Sequence, residues 1–469
     1  MSTDWEAVVG FEIHVHLKTR TKMFCRCEAG WGAAENSRTC PVCLAHPGAL
    51  PVPNERAVEW TIKLGLALAC HIAERAVFHR KHYFYPDNAK GYQISQYDEP
   101  LCIDGKVLVP GPDGDTEIGI IRAHLEEDAA KTIHVGGATG RIVGAAHSNV
   151  DFNRGGTPLV EIVTQPDIRS ADQAKRFLQL LRQTIVELGI SDAEMEKGTL
   201  RADANVSVRE VGESRLRTRT ELKNMNSFNH LARGIDAEIR RQISLWESGG
   251  EVVQQTLDYE VKSDTVTARR QKEEAEDYRY FPEPDLVPLE PPSDLIERLR
   301  DELPESPGER IRVLSKTVGF DSALDLVATG NERTARLLVE HGLDWSSAAN
   351  VAMNQLAGRE PLRENAAALV AIIKARDEIT RDAYNASLAS STTSVLNVED
   401  VLNQKAIGDT AELEPLIDRI LAANPGQVES FRGGKQGLLG FFVGQVMKET
   451  QGRADPKIVN QLVREKLSA

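Results

Sequence analysis

The chain is 469 residues long, with 56 Lys+Arg against 70 Asp+Glu and a formal net charge of −14. That is too long for one core and suits two to four domains at roughly 100–200 residues each, and 41% hydrophobic content rules out a disordered or collagen-like chain. The acidic balance opposes tight binding to a polyphosphate partner unless a local basic patch overcomes it.

Up to about residue 290, short β-branched or alternating runs are separated by Gly, Pro and Asn/Asp clusters, which reads as sheet with some helix. The first residues, MSTDWEAV, lack an export signature, so a cytoplasmic location is expected. Strands are expected at 8–17, about 119–127, 159–164 and 204–208. A helix is expected at 170–188, where Ser170 and Gln173 form a capping box and Phe177, Leu178, Leu181, Ile185 and Leu188 recur at helical spacing. Seven prolines between Phe281 and Pro307 mark a boundary. Beyond it the pattern is helical at 294–302, 323–329, 331–341, 346–356 and 363–376. A Ser/Thr-rich break at 387–397 precedes a last helical module, which holds a helix at 438–447 and another opened by Asp455 as N-cap and Pro456 in the first turn. The expected fold class is α+β: a β-rich domain over 1–293, a helical domain over 294–396 and a small helical tail domain over 397–469. No run reaches the ~18 apolar residues of a membrane span; the longest candidate, 438–447, is broken by Gly444 and Gln445.

Three constellations could carry chemistry. On the strand at 8–17 successive side chains alternate faces, so Glu12, His14 and His16 share one face in steps of about 7 Å. Acidic company for them exists in His124-Leu-Glu126-Glu127-Asp128 and around Glu161; three consecutive acids repel one another unless a cation sits among them, and oxygen-rich clusters suit Mg²⁺. Second, Cys25, Cys27, Cys40 and Cys43 have the composition of a closed tetrahedral Zn²⁺ site, structural rather than catalytic. Third, aromatics and cations interleave from His79 to Tyr97, a pattern that can stack a base or pack a turn. Further polar runs lie at 149–156, 201–205, 221–227 and 277–285, and no GxxxxGK[ST] loop occurs, so a nucleotide would depend on metal and scattered Arg, Lys and Asn. The last 46 residues carry seven Lys/Arg against four acids, a local balance of +3.

The runs VGFEIHVHLKT, CPVCLAHPGALPVPN, RKHYFYPDNAKGYQISQYD, RAHLEEDAAK, DFNRGGTPLVEIV, RADANVSV, ELKNMNSF, DYRYFPEPDL and FRGGKQGLLGFFVGQVMK, in that order, resemble the B subunits of the tRNA-dependent amidotransferases, GatB of the GatCAB complex. The resemblance covers almost the whole chain. It implies a β-rich cradle, a helical domain and a helical tail. It also implies an activity: phosphorylation of the side-chain carboxylate of Glu-tRNA(Gln) or Asp-tRNA(Asn) with ATP and Mg²⁺, then displacement of phosphate by ammonia. The ammonia would come from a glutaminase A subunit, with a small C subunit bracing the assembly. By motif position the resemblance assigns Glu12, His14, Glu127 and Glu161 to Mg²⁺, with Glu126 and Asp128 as near alternatives. Glu12, His14, Glu127 and Lys223 become catalytic candidates, Arg201 and Asn224 nucleotide contacts, and Arg432 and Lys435 tRNA contacts on the tail. Two rival readings share these residues. A stand-alone carboxylate metallohydrolase would need no ATP, and a non-catalytic zinc-containing tRNA-binding subunit would keep its RNA affinity without Glu127.

Overall fold

The computed structural model describes residues 4–136, 142, 144–268, 278–405, 407, 410–450 and 452–468. Asp277, which opens the last aromatic run of the first half, lies outside the described residues. The chain forms two compact units, Met1–Val313 and Leu314–Ala469.

In the first unit the strands are β1 (Trp5–His16), β2 (His71–Ile72), β3 (His79–His82), β4 (Tyr92–Ser95), β5 (Cys102–Val109), β6 (Thr116–Glu127), β7 (Lys131–Val135), β8 (His147–Asp151), β9 (Pro158–Thr164), β10 (Leu200–Glu210), β11 (Thr220–Lys223), β12 (Thr256–Glu260), β13 (Thr265–Ala268) and β14 (Phe281–Pro282). The helices are α1 (Glu55–Ala67), α2 (Ala171–Glu187), α3 (Phe228–Glu247) and α4 (Ser293–Asp301), and α5 (Pro307–Val318) spans the division between the units. Nine strands make one sheet in the order β13-β12-β11-β10-β1-β9-β6-β5-β2, antiparallel throughout except for the β11/β12 pair. Smaller sheets are β14-β3-β4 and β7-β8.

The alternation of β1 decides which face does what. Val9, Phe11, Ile13 and Val15 are buried on one side, where Phe11 stacks on Phe177 of α2 at 6.0 Å. Leu125, Val160, Ile162, Ala202, Ala204 and Leu222 extend the same apolar face across neighbouring strands. Burying these side chains drives the sheet against its helices and leaves the opposite face free to be polar. The capping box expected at the start of α2 forms with a shift of one residue: Ser170 Oγ accepts from the Gln173 N–H at 3.2 Å, while Gln173 Oε1 accepts from the N–H of Arg169 at 2.7 Å.

The second unit is helical: α6 (Phe320–Ala328), α7 (Glu332–Glu340), α8 (Trp345–Asn350), α9 (Ala366–Lys374), α10 (Arg381–Ser390), α11 (Val398–Leu402), α12 (Thr410–Ala423), α13 (Pro425–Arg432), α14 (Leu438–Glu449) and α15 (Pro456–Ser468). The Ser/Thr-rich stretch read as a break from residue 387 begins inside α10 instead. Ser387 Oγ donates to the Tyr384 carbonyl and Ser391 Oγ to that of Leu388, both at 2.7 Å, so the hydroxyls are satisfied within the helix. Asn365 then holds the following turn, donating to the carbonyls of Ser391 and Ser394 and accepting from the N–H of Leu396. In the last module Leu413, Ile417, Phe431, Phe442, Val446, Val459, Val463 and Leu467 form one core. Asp455 caps α15 through the N–H groups of Lys457 and Ile458. Among the described residues no helix is long and apolar enough to cross a membrane.

Candidate metal and phosphate site on the polar face of the sheet

β9 lies between β1 and β6, which sets Glu161 opposite His14 on one side and His124 on the other. His14 Nε2 is 3.3 Å from Glu161 Oε2 and 3.6 Å from Glu126 Oε1, and His124 Nε2 is 4.0 Å from Glu161 Oε2. One ligand atom each from His14, Glu126 and Glu161 falls within 4.8 Å of the others. Ligand atoms around an octahedral Mg²⁺ stand about 3 to 4 Å apart, so this trio fits a divalent cation after a small contraction. Electrostatics agree. Burial and the neighbouring Glu161 push the Glu126 carboxyl up. Glu161 is held well below the usual carboxylate range despite its burial, by the imidazoles of His124 and His14. Burial opposes a charge on His14, yet its bond to Glu161 and the field of Glu126 raise it above 6.5. Burial takes His124 down to about 4, and its Nδ1 is buried without a hydrogen-bond partner among the described residues. Two carboxylates and an imidazole this close together are a donor set whose mutual repulsion a divalent cation would relieve.

Of the four residues expected around the metal, His14 and Glu161 meet, Glu126 joins them, and Glu12 and Glu127 stand elsewhere. Strand alternation is the reason for Glu127: Glu126 shares a face with His124, and the next residue turns away. Glu127 pairs with Lys90 and accepts from the N–H of Ile94 at 3.1 Å. It lines a cavity of about 180 Å³ that also touches Lys22, Cys25, Cys43 and Tyr92. Glu12 accepts from Asn205 Nδ2 at 3.3 Å, one strand pair along from His14. Asp128 accepts from His16 at 2.7 Å and sits within 3.4 Å of Arg201 and Arg154; these partners outweigh its burial and keep it ionised.

Lys223 Nζ lies 2.8 Å from Glu221 and 3.0 Å from Asp203, and Asn224, at φ +60°, donates to Asp258 at 3.0 Å. The same polar face continues past Glu12 into a cleft of about 680 Å³ walled by Gly10, Thr164, Pro166 and Asn205 on the sheet side, and by Arg215, Arg217, Arg219 and Trp246 opposite. Arg215 and Arg219 are exposed and have no ion-pair partner among the described residues. The sequence reading missed this wall because its arginines belong to the connection between β10 and β11, which carries no motif. Lys81, read from the sequence only as one cation of the aromatic and basic stretch, lies 4.9 Å from the Tyr278 ring centroid; there Glu126 and Glu161 outweigh burial and hold its ammonium pKa up. The visible signal for Lys81 was its place in the basic run before the aromatics.

The four cysteine sulfurs at 25, 27, 40 and 43 lie within 4.8 Å of one another and could hold a metal. Cys40 and Cys43 Sγ are 3.9 Å apart, close to the roughly 3.8 Å edge of a tetrahedral zinc–thiolate site. The bond to Cys25 draws the Cys43 thiol down to about 4, and Lys22 Nζ stands 3.7 Å from its sulfur. On the second unit Arg432 is exposed but donates from Nε to the Leu467 carbonyl at 3.1 Å, and Lys435 is exposed in the turn before α14.

Comparison with known proteins gives these features a family. Residues 7–297 match the GatB/GatE catalytic domain and residues 322–467 match the GatB domain. The B subunit of the aspartyl/glutamyl-tRNA(Asn/Gln) amidotransferase of Syntrophotalea carbinolica is 43% identical across the full length of both chains. Its counterparts in Geobacter sulfurreducens and Persephonella marina are 44% and 42% identical, each across 99% or more of both chains. With both domains matched in order and relatives of this similarity along its whole length, the chain belongs to the GatB family of amidotransferase B subunits.

Proposed function

We propose that this chain is the component of a tRNA-dependent amidotransferase that activates and amidates the side-chain carboxylate of Glu-tRNA(Gln) or Asp-tRNA(Asn). The observation that carries this reading is a His14–Glu126–Glu161 cluster, both its carboxylates buried, on the same polar face as a cleft of about 680 Å³ bearing two arginines unpaired among the described residues. A carboxylate is a poor acyl donor. Attack of its oxygen on the γ-phosphorus of ATP forms a C–O–P link and releases ADP; ammonia then adds to the acyl carbon, phosphate leaves, and the nitrogen loses a proton. Mg²⁺, when bound, would offset the charge on the phosphoryl oxygens.

His14, Glu126 and Glu161 would hold that ion, with Glu12 at the edge towards the cleft. Arg215 and Arg219 offer charge to a polyphosphate, and Arg201 stands over the Asp128 end of the face. Lys223 and Asn224 border the same face from β11, and Lys81 approaches from β3 as a fixed cation. Glu127, ion-paired to Lys90, would act beside the metal cluster rather than within it. The four cysteines would hold Zn²⁺ as a structural site. The amidase A subunit that supplies ammonia, the small C subunit and contact of tRNA(Gln) or tRNA(Asn) with Arg432 and Lys435 belong to the same proposal.

The test uses the assembled A, B and C subunits with Glu-tRNA(Gln), ATP, Mg²⁺ and ammonium. Glu161→Gln is expected to lower both ADP release and Gln-tRNA formation by about 10²–10³-fold while tRNA binding persists, since a buried electrostatic partner is lost. Product formation without ATP consumption, or full activity in Glu161→Gln, would overturn the reading.

A further inference from the structure

The nine residues that join β10 to β11 contain three arginines at alternate positions, Arg215, Arg217 and Arg219, and all three line the cleft. Their surroundings differ. The Arg217 guanidinium lies over two indole rings, 4.8 Å from the Trp5 centroid at the start of β1 and 5.1 Å from that of Trp246 at the end of α3. Its Nε donates to Glu213 at 2.7 Å and its Nη2 to Glu210 at 3.0 Å. A cation held over two rings and tied through Nε and Nη2 to two carboxylates is fixed in place by the protein. It is no free ligand for a phosphate. Arg215 and Arg219, exposed and unpaired among the described residues, are.

We infer that Arg217 is a positioning residue for the nucleotide, fastening the 211–219 connection to β1 and α3 so that Arg215 and Arg219 stand over the cleft beside Glu12. This inference rests on the reading of the cleft as a nucleotide site. The attachment has three supports outside the connection, Trp5 on β1, Trp246 on α3 and Glu210 at the end of β10, and Glu213 braces it from within. Removing any of them frees the turn that carries the two cations, and ordering that turn again then opposes binding.

The test is equilibrium dialysis of radiolabelled ATP with Mg²⁺ against the full chain, with far-UV circular dichroism melts on each variant. Glu213→Gln separates positioning from simple charge. It removes a negative charge from the cleft wall, so a field effect alone would tighten ATP binding, whereas loss of the Arg217 anchor weakens it. Arg217→Met is expected to weaken binding by about tenfold, the scale of a lost charge-assisted hydrogen bond, with Glu213→Gln weaker in the same direction. Arg217→Lys keeps the charge but not the planar fork and is expected to restore little of the affinity. Tighter binding by Glu213→Gln, or wild-type affinity in Arg217→Lys, would overturn the inference. If the unaltered chain itself retains no ATP, the nucleotide reading of the cleft fails first. Should Arg217→Met not fold, the sign of the Glu213→Gln change still decides.

Discussion

His14 was recognisable in the sequence because it sits in a polar-in-apolar alternation, and strand parity then fixes its face; Glu161 is a lone acid in an apolar strand and was assigned by motif position. The choice between Glu126 and Glu127 could not be made the same way: it depends on where β6 pairs with β9, and only the register opposite Glu161 puts 124 and 126 on the polar side. Another residue-scale expectation concerns Asp264. The hydroxyl of Tyr259 foremost, with Arg240 and Arg233, holds its carboxyl down to about 2 from an ordinary 3.8. A depressed folded-state pKa stabilises above the unfolded value and is lost as pH falls through the folded one. Asp264→Asn should therefore lower the melting temperature by a constant amount from pH 5 to 7, and that difference should shrink as pH falls from 3.8 towards about 2. A difference that grows on acidification would show that the cluster has been misread.

At the scale of elements, strands with clean alternation and helices with a polar cap were the legible ones. α1 was not. Asn54 caps it, accepting from the N–H of Ala57 at 3.1 Å, but that cap lies in a Pro-rich stretch and the apolar residues are interrupted by Gly65, so the period does not stand out. The structure explains the glycine: a Cβ there would lie 2.4 Å from Cys102 Sγ on β5 and 3.1 Å from Ile72. Gly65→Ala should cost about 1–3 kcal/mol by overpacking, with partial recovery in Gly65→Ala/Cys102→Ala, measured by denaturant unfolding of the full chain. The N-cap of α2 should be worth less. Ser170→Ala removes a single cap bond and is expected to cost about 1 kcal/mol by the same measurement.

At the scale of the whole chain, the change from sheet to helix was legible as a proline-rich stretch between periodic patterns. The division at 313/314 falls within α5, after those prolines, where sequence composition marks no break. The shape of the cleft beside Glu12 was not legible, because its walls come from β1, β9, β10 and α3, far apart in sequence. The tail module should fail by itself. Phe442 is fully buried in its core, and Phe442→Ala is expected to cost about 3–5 kcal/mol there, abolishing tRNA affinity in a filter-binding assay while ATP binding by the first unit persists. The central claim, that His14, Glu126 and Glu161 hold a divalent cation, is tested most directly by Mn²⁺ binding to the full chain, followed by electron paramagnetic resonance. The expected result is one bound ion lost in Glu161→Gln and retained in Glu127→Gln. An ion that survives Glu161→Gln but disappears with Glu127→Gln would contradict it.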